Sequence, residues 1–205
     1  MQVQLARRGA CLARPSRPPM RRTRCPGGAG DAAKQAPTTA AAALAPASVF
    51  HYTELELETG PGVCVHNIMP QIRAEVQRLG VQEGFVNVLS RHTTTAVCIN
   101  EYETRLLDDI RQFLRKVAPP SDPYLHNDLH LREAPEGWPG GWEAWAKQPE
   151  NAHSHLLSLM LGNSETVPVS GGELKTGVWQ SVMLVELDGP RKRSVGVQIV
   201  GQARG

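Results

Sequence analysis

The residues with the most chemical potential in this chain are its histidines. His153 and His155 sit in Asn151-Ala152-His153-Ser154-His155-Leu156, at the start of a short apolar helix ending at Leu161-Gly162. His92 and His126 lie in turn-like stretches far away in sequence. Neutral imidazole is a common ligand for borderline metals such as zinc. Three imidazoles with an open position make a catalytic pattern, whereas closed four-ligand sites are usually structural. The expectation is that His92, His126 and one of the 153/155 pair converge on an exchangeable divalent metal. On a helix, 153 and 155 stand about 200° apart at roughly 100° per residue, so only one can face the ion. The wheel places His153 among Leu156, Leu157 and Met160, and His155 at the edge of that face. It does not decide which one binds. His126 and His130 have helical i, i+4 spacing, but neighbouring prolines argue against a helix there.

Carboxylates that could move protons or orient histidines are Glu101, Asp108, Asp109 and Glu186. Asp108 reads better as a helix-face charge beside Arg111. Thr93, Thr94 and Ser164 could donate to phosphate oxygens. Arg191-Lys192-Arg193 reads first as a charged hairpin turn, and second as a phosphate contact. The four cysteines, Cys11, Cys25, Cys64 and Cys98, form no CxxC pair, so neither a zinc knuckle nor a redox motif is expected. Cys98, in Ala96-Val97-Cys98-Ile99, reads as a reduced core thiol.

The elements that must position these groups follow from period and punctuation. Residues 49–57 read as a strand closed by Gly60-Pro61-Gly62. Residues 67–79 read as a helix capped by Asn67 and stopped by Gly80. Residues 84–90 and 96–99 are strands flanking His92. Leu106, Leu107, Ile110, Phe113, Leu114 and Val117 form one apolar stripe, which predicts a helix over 103–117. Residues 119–150 lack period and are rich in Pro, Gly and Trp; so long an irregular stretch is usually a functional loop. After the 151–161 helix come strands at 166–169, 178–187 and 194–200. The predicted fold class is α+β, a mixed, largely antiparallel sheet packed with a few helices, over residues 49–203.

Residues 1–45 differ in kind. They hold eight basic residues and one acid, a formal 8 − 1 = +7, leaving 14 − 19 = −5 for the rest. This Ala/Pro/Gly/Arg-rich leader is expected to be disordered. It suits a transit peptide to plastid or mitochondrion; without that role the protein would be cytoplasmic. The acidic body is a poor nucleic-acid binder, and no stretch approaches the roughly 20 apolar residues of a membrane span.

The ordered series His92-Thr93-Thr94-Thr95-Ala96, Asn100-Glu101, Asn151 to Leu156, Gly162-Asn163-Ser164, Gly177-Val178-Trp179-Gln180 and Asp188-Gly189-Pro190-Arg191 resembles the YjbQ family. The resemblance covers about residues 49–201. The family usually has Gly-Thr-Trp-Gln where this chain has Val178, which removes any polar role there. The resemblance implies an α+β homotrimer with a pocket whose metal ligands match His92, His126 and His155. It implies a thiamine-phosphate synthase activity, joining hydroxymethylpyrimidine diphosphate to a thiazole phosphate with release of pyrophosphate. The substrate would then be a small phosphorylated metabolite met by Thr93, Asn100, Ser164, Gln180 and Arg191. Glu101, Asp109 and Glu186 would be the catalytic carboxylates. Zinc is the expected metal, with magnesium the alternative for a diphosphate substrate. Two other functions compete: a metal-dependent hydrolase of a phosphorylated or acylated metabolite, and a non-catalytic metabolite- or metal-binding trimer.

Overall fold

A computed structural model describes residues 47–204. The expectation of a disordered basic leader falls outside those residues. The described chain forms eight strands and four α-helices. In order they are β1 (Ala47–Glu58), β2 (Gly62–Asn67), α1 (Met69–Arg78), β3 (Val81–Ser90), β4 (Thr95–Glu101) and α2 (Thr104–Val117), then α3 (Gly141–Trp145), α4 (Ala152–Leu161), β5 (Ser164–Ser170), β6 (Glu173–Leu174), β7 (Gln180–Gly189) and β8 (Lys192–Ala203).

Two sheets result, one in the order β1-β8-β3-β5-β6 and one in the order β2-β7-β4. The pairings expected to be largely antiparallel are all antiparallel among the described strands. β7 explains the layering. Its side chains alternate between two cores, so both faces are apolar and the strand is buried almost throughout. Val182 and Leu184 join Val86, Val88, Val195, Val197 and Ile199 between the sheets, with Ile72 and Val76 of α1 added to that core. Met183, Val185 and Leu187 face the other way, onto Leu107 and Leu114 of α2 and Leu157 of α4. The layers are therefore a five-stranded sheet, a three-stranded sheet, and a pair of helices.

Local chemistry sets the boundaries. Glu103 stands just before α2, and its carboxylate accepts from the amides of Arg105 (3.0 Å) and Leu106 (2.8 Å), which satisfies two N–H groups the helix cannot. Gly84 pairs with Gly201 of the neighbouring β8. A Cβ there would sit 2.1 Å from the Val200 carbonyl oxygen, and its φ of +152° is one that only glycine adopts easily.

One sequence expectation is corrected by α4. The helical wheel predicts that the Leu156/Leu157/Met160 side is buried, with His153 among those residues. Instead Ala152, Ser154, Leu157 and Ser158 are buried, while Leu156, Leu159 and Met160 are exposed. The buried serine hydroxyls donate to the carbonyls of Leu187 and Thr95, each at 2.6 Å. Those bonds, with small side chains that allow close approach, outweigh the burial of two leucines and a methionine. β2 and β6 are strands the sequence reading did not find.

Candidate functional site

α4 and the long loop meet at a hydrogen bond that the histidines depend on. Asn127 Oδ1 accepts from the amide of Ala152 at 3.1 Å, so a loop residue caps the helix. The turn that carries Asn127 also carries His126, and α4 carries His155 one turn inside its start. The cap thus brings the two rings together. Their centroids lie 4.7 Å apart at 70°, edge to face. Burial, then Arg132 and His155, hold the His126 imidazole below its ordinary pKa. Burial does the same to His155; Asp188 and the Thr93 backbone oppose it, and Arg132 adds to it. Both rings are therefore neutral at pH 7 and carry lone pairs able to bind a cation or accept a proton.

Around this pair lies a hollow of about 330 Å³. Thr93 and Thr94 come from the β3–β4 turn, Arg132, Trp138 and Trp145 from the long loop and α3, and Asp188, Arg191 and Arg193 from the end of β7, the turn that crosses between the sheets, and the start of β8. The Trp138 and Trp145 rings pack edge to face at 5.1 Å, giving one side an aromatic wall. Asp188 accepts from Asn151 Nδ2 at 2.6 Å and from Arg191 Nη2 at 2.9 Å, tying the end of β7 to the start of α4.

Beneath the hollow lies a buried ion pair. Glu186 is fully buried, and both its oxygens accept from Arg193 at 2.6 Å. Glu186 also accepts from the amides of Leu187 (3.0 Å) and Asp188 (2.8 Å) and from the Thr59 hydroxyl (2.8 Å). Burial alone would raise its carboxyl pKa, but Arg193, the Asp188 amide and Thr59 together keep it below the ordinary value. Arg193 in turn donates to Thr94 Oγ1 at 3.0 Å. Every lone pair of this carboxylate is engaged. Its geometry suits holding Arg193 and the β3–β4 turn in place, rather than taking a proton from a substrate.

Of the residues expected at the site, Thr93, His126, His155 and Arg191 line the hollow. His92 does not join the other two imidazoles. Its Nε2 accepts from the backbone amide of Ser194 at 2.9 Å, pinning the β3–β4 turn to β8. Among the described residues no three His, Cys, Asp or Glu side chains are placed to share an ion. The donor set present is two neutral imidazoles, not the expected three-imidazole seat. Glu101 borders a separate hollow beside Trp179, Asn100 a groove against α2, and Gln180 one near Arg73. The Gln180 side chain accepts from the Gly177 amide at 2.7 Å. Asp109 is on the exposed side of α2, and Ser164 accepts from Asn87 at the start of β5. The sequence reading missed Arg132 and Asn151 as site residues, and ranked Arg193 as a turn charge ahead of a phosphate contact. The one signal for Arg132 was its place in a long irregular loop.

The comparisons with known proteins agree with this architecture. The sequence profile described as "UPF0047 protein YjbQ-like" matches residues 53–202. A UPF0047 protein of Methanothermobacter thermautotrophicus is 37% identical over 149 residues, 73% of this chain and 91% of that one. The UPF0047 protein YugU of Bacillus subtilis is 28% identical, over 66% of this chain and 88% of its own. Among solved structures, a YbjQ-like protein of Sulfolobus solfataricus superposes with a TM-score of 0.64 at 29% identity, covering 76% of this chain and 99% of that one. A YjbQ/UPF0047 protein of Clostridium acetobutylicum gives 0.60 at 29%, covering 72% and 98%. With the profile spanning most of the described residues and the fold shared nearly end to end, this chain belongs to the YjbQ-like UPF0047 family.

Proposed function

We propose that the hollow around His126 and His155 binds a small phosphorylated ring metabolite, and that the reaction is thiamine-phosphate synthesis. The observation that carries the reading is the gathering of three guanidinium groups, two neutral imidazoles and an indole wall around one 330 Å³ space. In that reaction the thiazole nitrogen bonds to the methylene carbon of the pyrimidine. The bond from that carbon to the diphosphate oxygen breaks, and pyrophosphate leaves with the electron pair. Negative charge grows on the leaving group, so fixed positive charge beside it lowers the barrier. Arg132 supplies that charge, with Arg191 at the rim of the same hollow. Trp138 offers apolar surface for a ring, backed by the buried Trp145, and Thr93 offers a hydroxyl to a phosphate oxygen. Holding the two rings in line accounts for the rest of the rate.

A divalent cation belongs to the proposal, zinc or, with a diphosphate, magnesium. His126 and His155 are the residues that would hold it, and it would supply further positive charge to the leaving diphosphate. The expected homotrimer is part of the same proposal. Phe50 and Phe85 on the outer face of the five-stranded sheet, and Val178 and Trp179 beyond it, are apolar surface that assembly would cover. Light scattering should then give three times the chain mass.

One observation favours the hydrolase reading as runner-up. The hollow lies at the small end of ligand-pocket volumes, roughly 300–1,000 Å³, and one metabolite fills it more readily than two. The test is direct. The full-length protein is incubated with both phosphorylated halves and either zinc or magnesium, and thiamine phosphate is measured. Product above a no-enzyme blank, lost in His155→Ala, supports the synthase. No product with either metal ends that claim. Release of inorganic phosphate from either half alone moves the assignment to the hydrolase.

A further inference from the structure

We propose that Arg132 is the residue that recognises the ligand's phosphoryl group, and that it is held on Trp145 until the ligand draws it away. The inference rests on the reading above and assigns the charge within it. Three guanidinium groups line the hollow, but two are already matched by carboxylates. Arg191 Nη2 lies 2.9 Å from Asp188, and Arg193 is paired with buried Glu186 at 2.6 Å. Among the described residues, Arg132 has no carboxylate in ion-pair contact. Its Nη1 donates to the His126 carbonyl at 3.0 Å, and its guanidinium carbon lies 4.9 Å from the centre of the Trp145 ring.

That arrangement leaves donors of the guanidinium fork unused, and among the described residues its charge is met by one backbone carbonyl and the face of an aromatic ring, with no carboxylate. A cation over an indole is held weakly compared with a cation paired to phosphate. A phosphoryl group entering the hollow therefore competes well for Arg132. A second observation concerns the ring itself. Trp145 is 6% exposed, and its indole N–H has no hydrogen-bond partner. Buried donors are seldom left unmatched, and those that are call for an explanation. Lifting Arg132 from the ring and tilting the indole would let a ligand oxygen accept from that N–H. The ligand class that suits both groups is a phosphate or diphosphate, with several acceptor oxygens on a compact anion. The Arg132–Trp145 contact also makes the event visible, because tryptophan emission responds to a charge leaving its ring.

The experiment uses the full chain and inorganic pyrophosphate, with and without magnesium. Affinity is measured by calorimetry, and tryptophan emission is followed in the same titration. The expected result is saturable binding with a change in emission. Arg132→Gln weakens binding at least tenfold, and Arg132→Lys recovers only part of it, since an ammonium lacks the fork. The emission change on adding pyrophosphate disappears in Arg132→Gln. The melting temperature of each variant, close to that of the unsubstituted chain, shows that the fold persists. Equal affinity in Arg132→Gln and the unsubstituted chain overturns the inference, and leaves the pocket reading standing if His155→Ala still loses binding. An emission change that persists unaltered in Arg132→Gln also overturns it. No pyrophosphate binding by the unsubstituted chain overturns both.

Discussion

Replacing Glu186 with glutamine tests whether the buried pair under the hollow holds this part of the fold together. The carboxylate accepts five hydrogen bonds, two of them from Arg193. In Glu186→Gln the amide oxygen belongs on the Oε1 side, where three N–H groups point. The amide NH2 then faces the Nε–H of Arg193 on the other side, donor against donor. The ion attraction is lost as well, and Arg193 is 5% exposed, with little water to replace it. Breaking one partner of such a pair costs roughly 3–5 kcal/mol. A single domain has about 5–15 kcal/mol in total. At about 2–4 °C per kcal/mol for a domain of this size, melting should fall by roughly 6–20 °C. The assay is thermal unfolding at pH 7 followed by far-UV circular dichroism. Replacing both partners, Glu186→Met with Arg193→Met, removes the orphaned charge and should recover much of the loss. Acid gives a second check. The Glu186 carboxyl is held below its ordinary value, so its stabilisation is present above about pH 4.5 and is lost as pH falls through the depressed folded value. The difference between the unsubstituted chain and Glu186→Gln should therefore shrink as pH falls below about 4.5. A glutamine variant melting within about 2 °C of the unsubstituted chain at pH 7 would refute the reasoning.

Two further outcomes are expected. Gly84→Ala should destabilise by roughly 1–3 kcal/mol in urea titration, because its new Cβ meets the Val200 carbonyl oxygen and the alanine inherits a glycine φ; an unchanged midpoint would contradict the close approach of β3 and β8. Cys98, whose thiol burial pushes up to about 11, should resist alkylation at pH 8 in the native protein and react promptly in urea, as read by peptide mass spectrometry; equal rates would contradict it.

The parts of the fold legible in the sequence are those where one element decides its own pattern. The six-residue stripe of α2 and the β-branched runs of β3 and β8 announce themselves, because each presents an apolar face at a fixed period. β2 does not. Its Val63 and Val65 alternate with Cys64 and His66 over six residues, directly after a Gly-Pro-Gly turn, too short a signal to stand apart from a loop. The face of α4 was misread because it is set by what the helix packs against. Two serines are buried there by carbonyls on β4 and β7, which no helical wheel contains. The site divides in the same way. Residue type marked His126 and His155, but only the Asn127 cap, a contact between distant segments, brings them together. Nothing in the spacing around His92 shows that its ring turns to the Ser194 amide. Arg193 read as a turn charge because its partner Glu186 lies on a strand of the other sheet and its burial comes from the packing of the two sheets. Arg132 sits in a stretch without period, where sequence shows that a loop exists but not what it covers.

The proposed place for a phosphorylated ligand is the hollow between the long loop, α4 and the β7–β8 connection. A crystal of the full-length protein grown with pyrophosphate and magnesium tests it most directly. The account predicts anion density against His126, His155 and Arg132, with Trp145 displaced from the guanidinium. Density at the Arg73 hollow or beside Trp179 instead, with the histidine pair untouched, would contradict it.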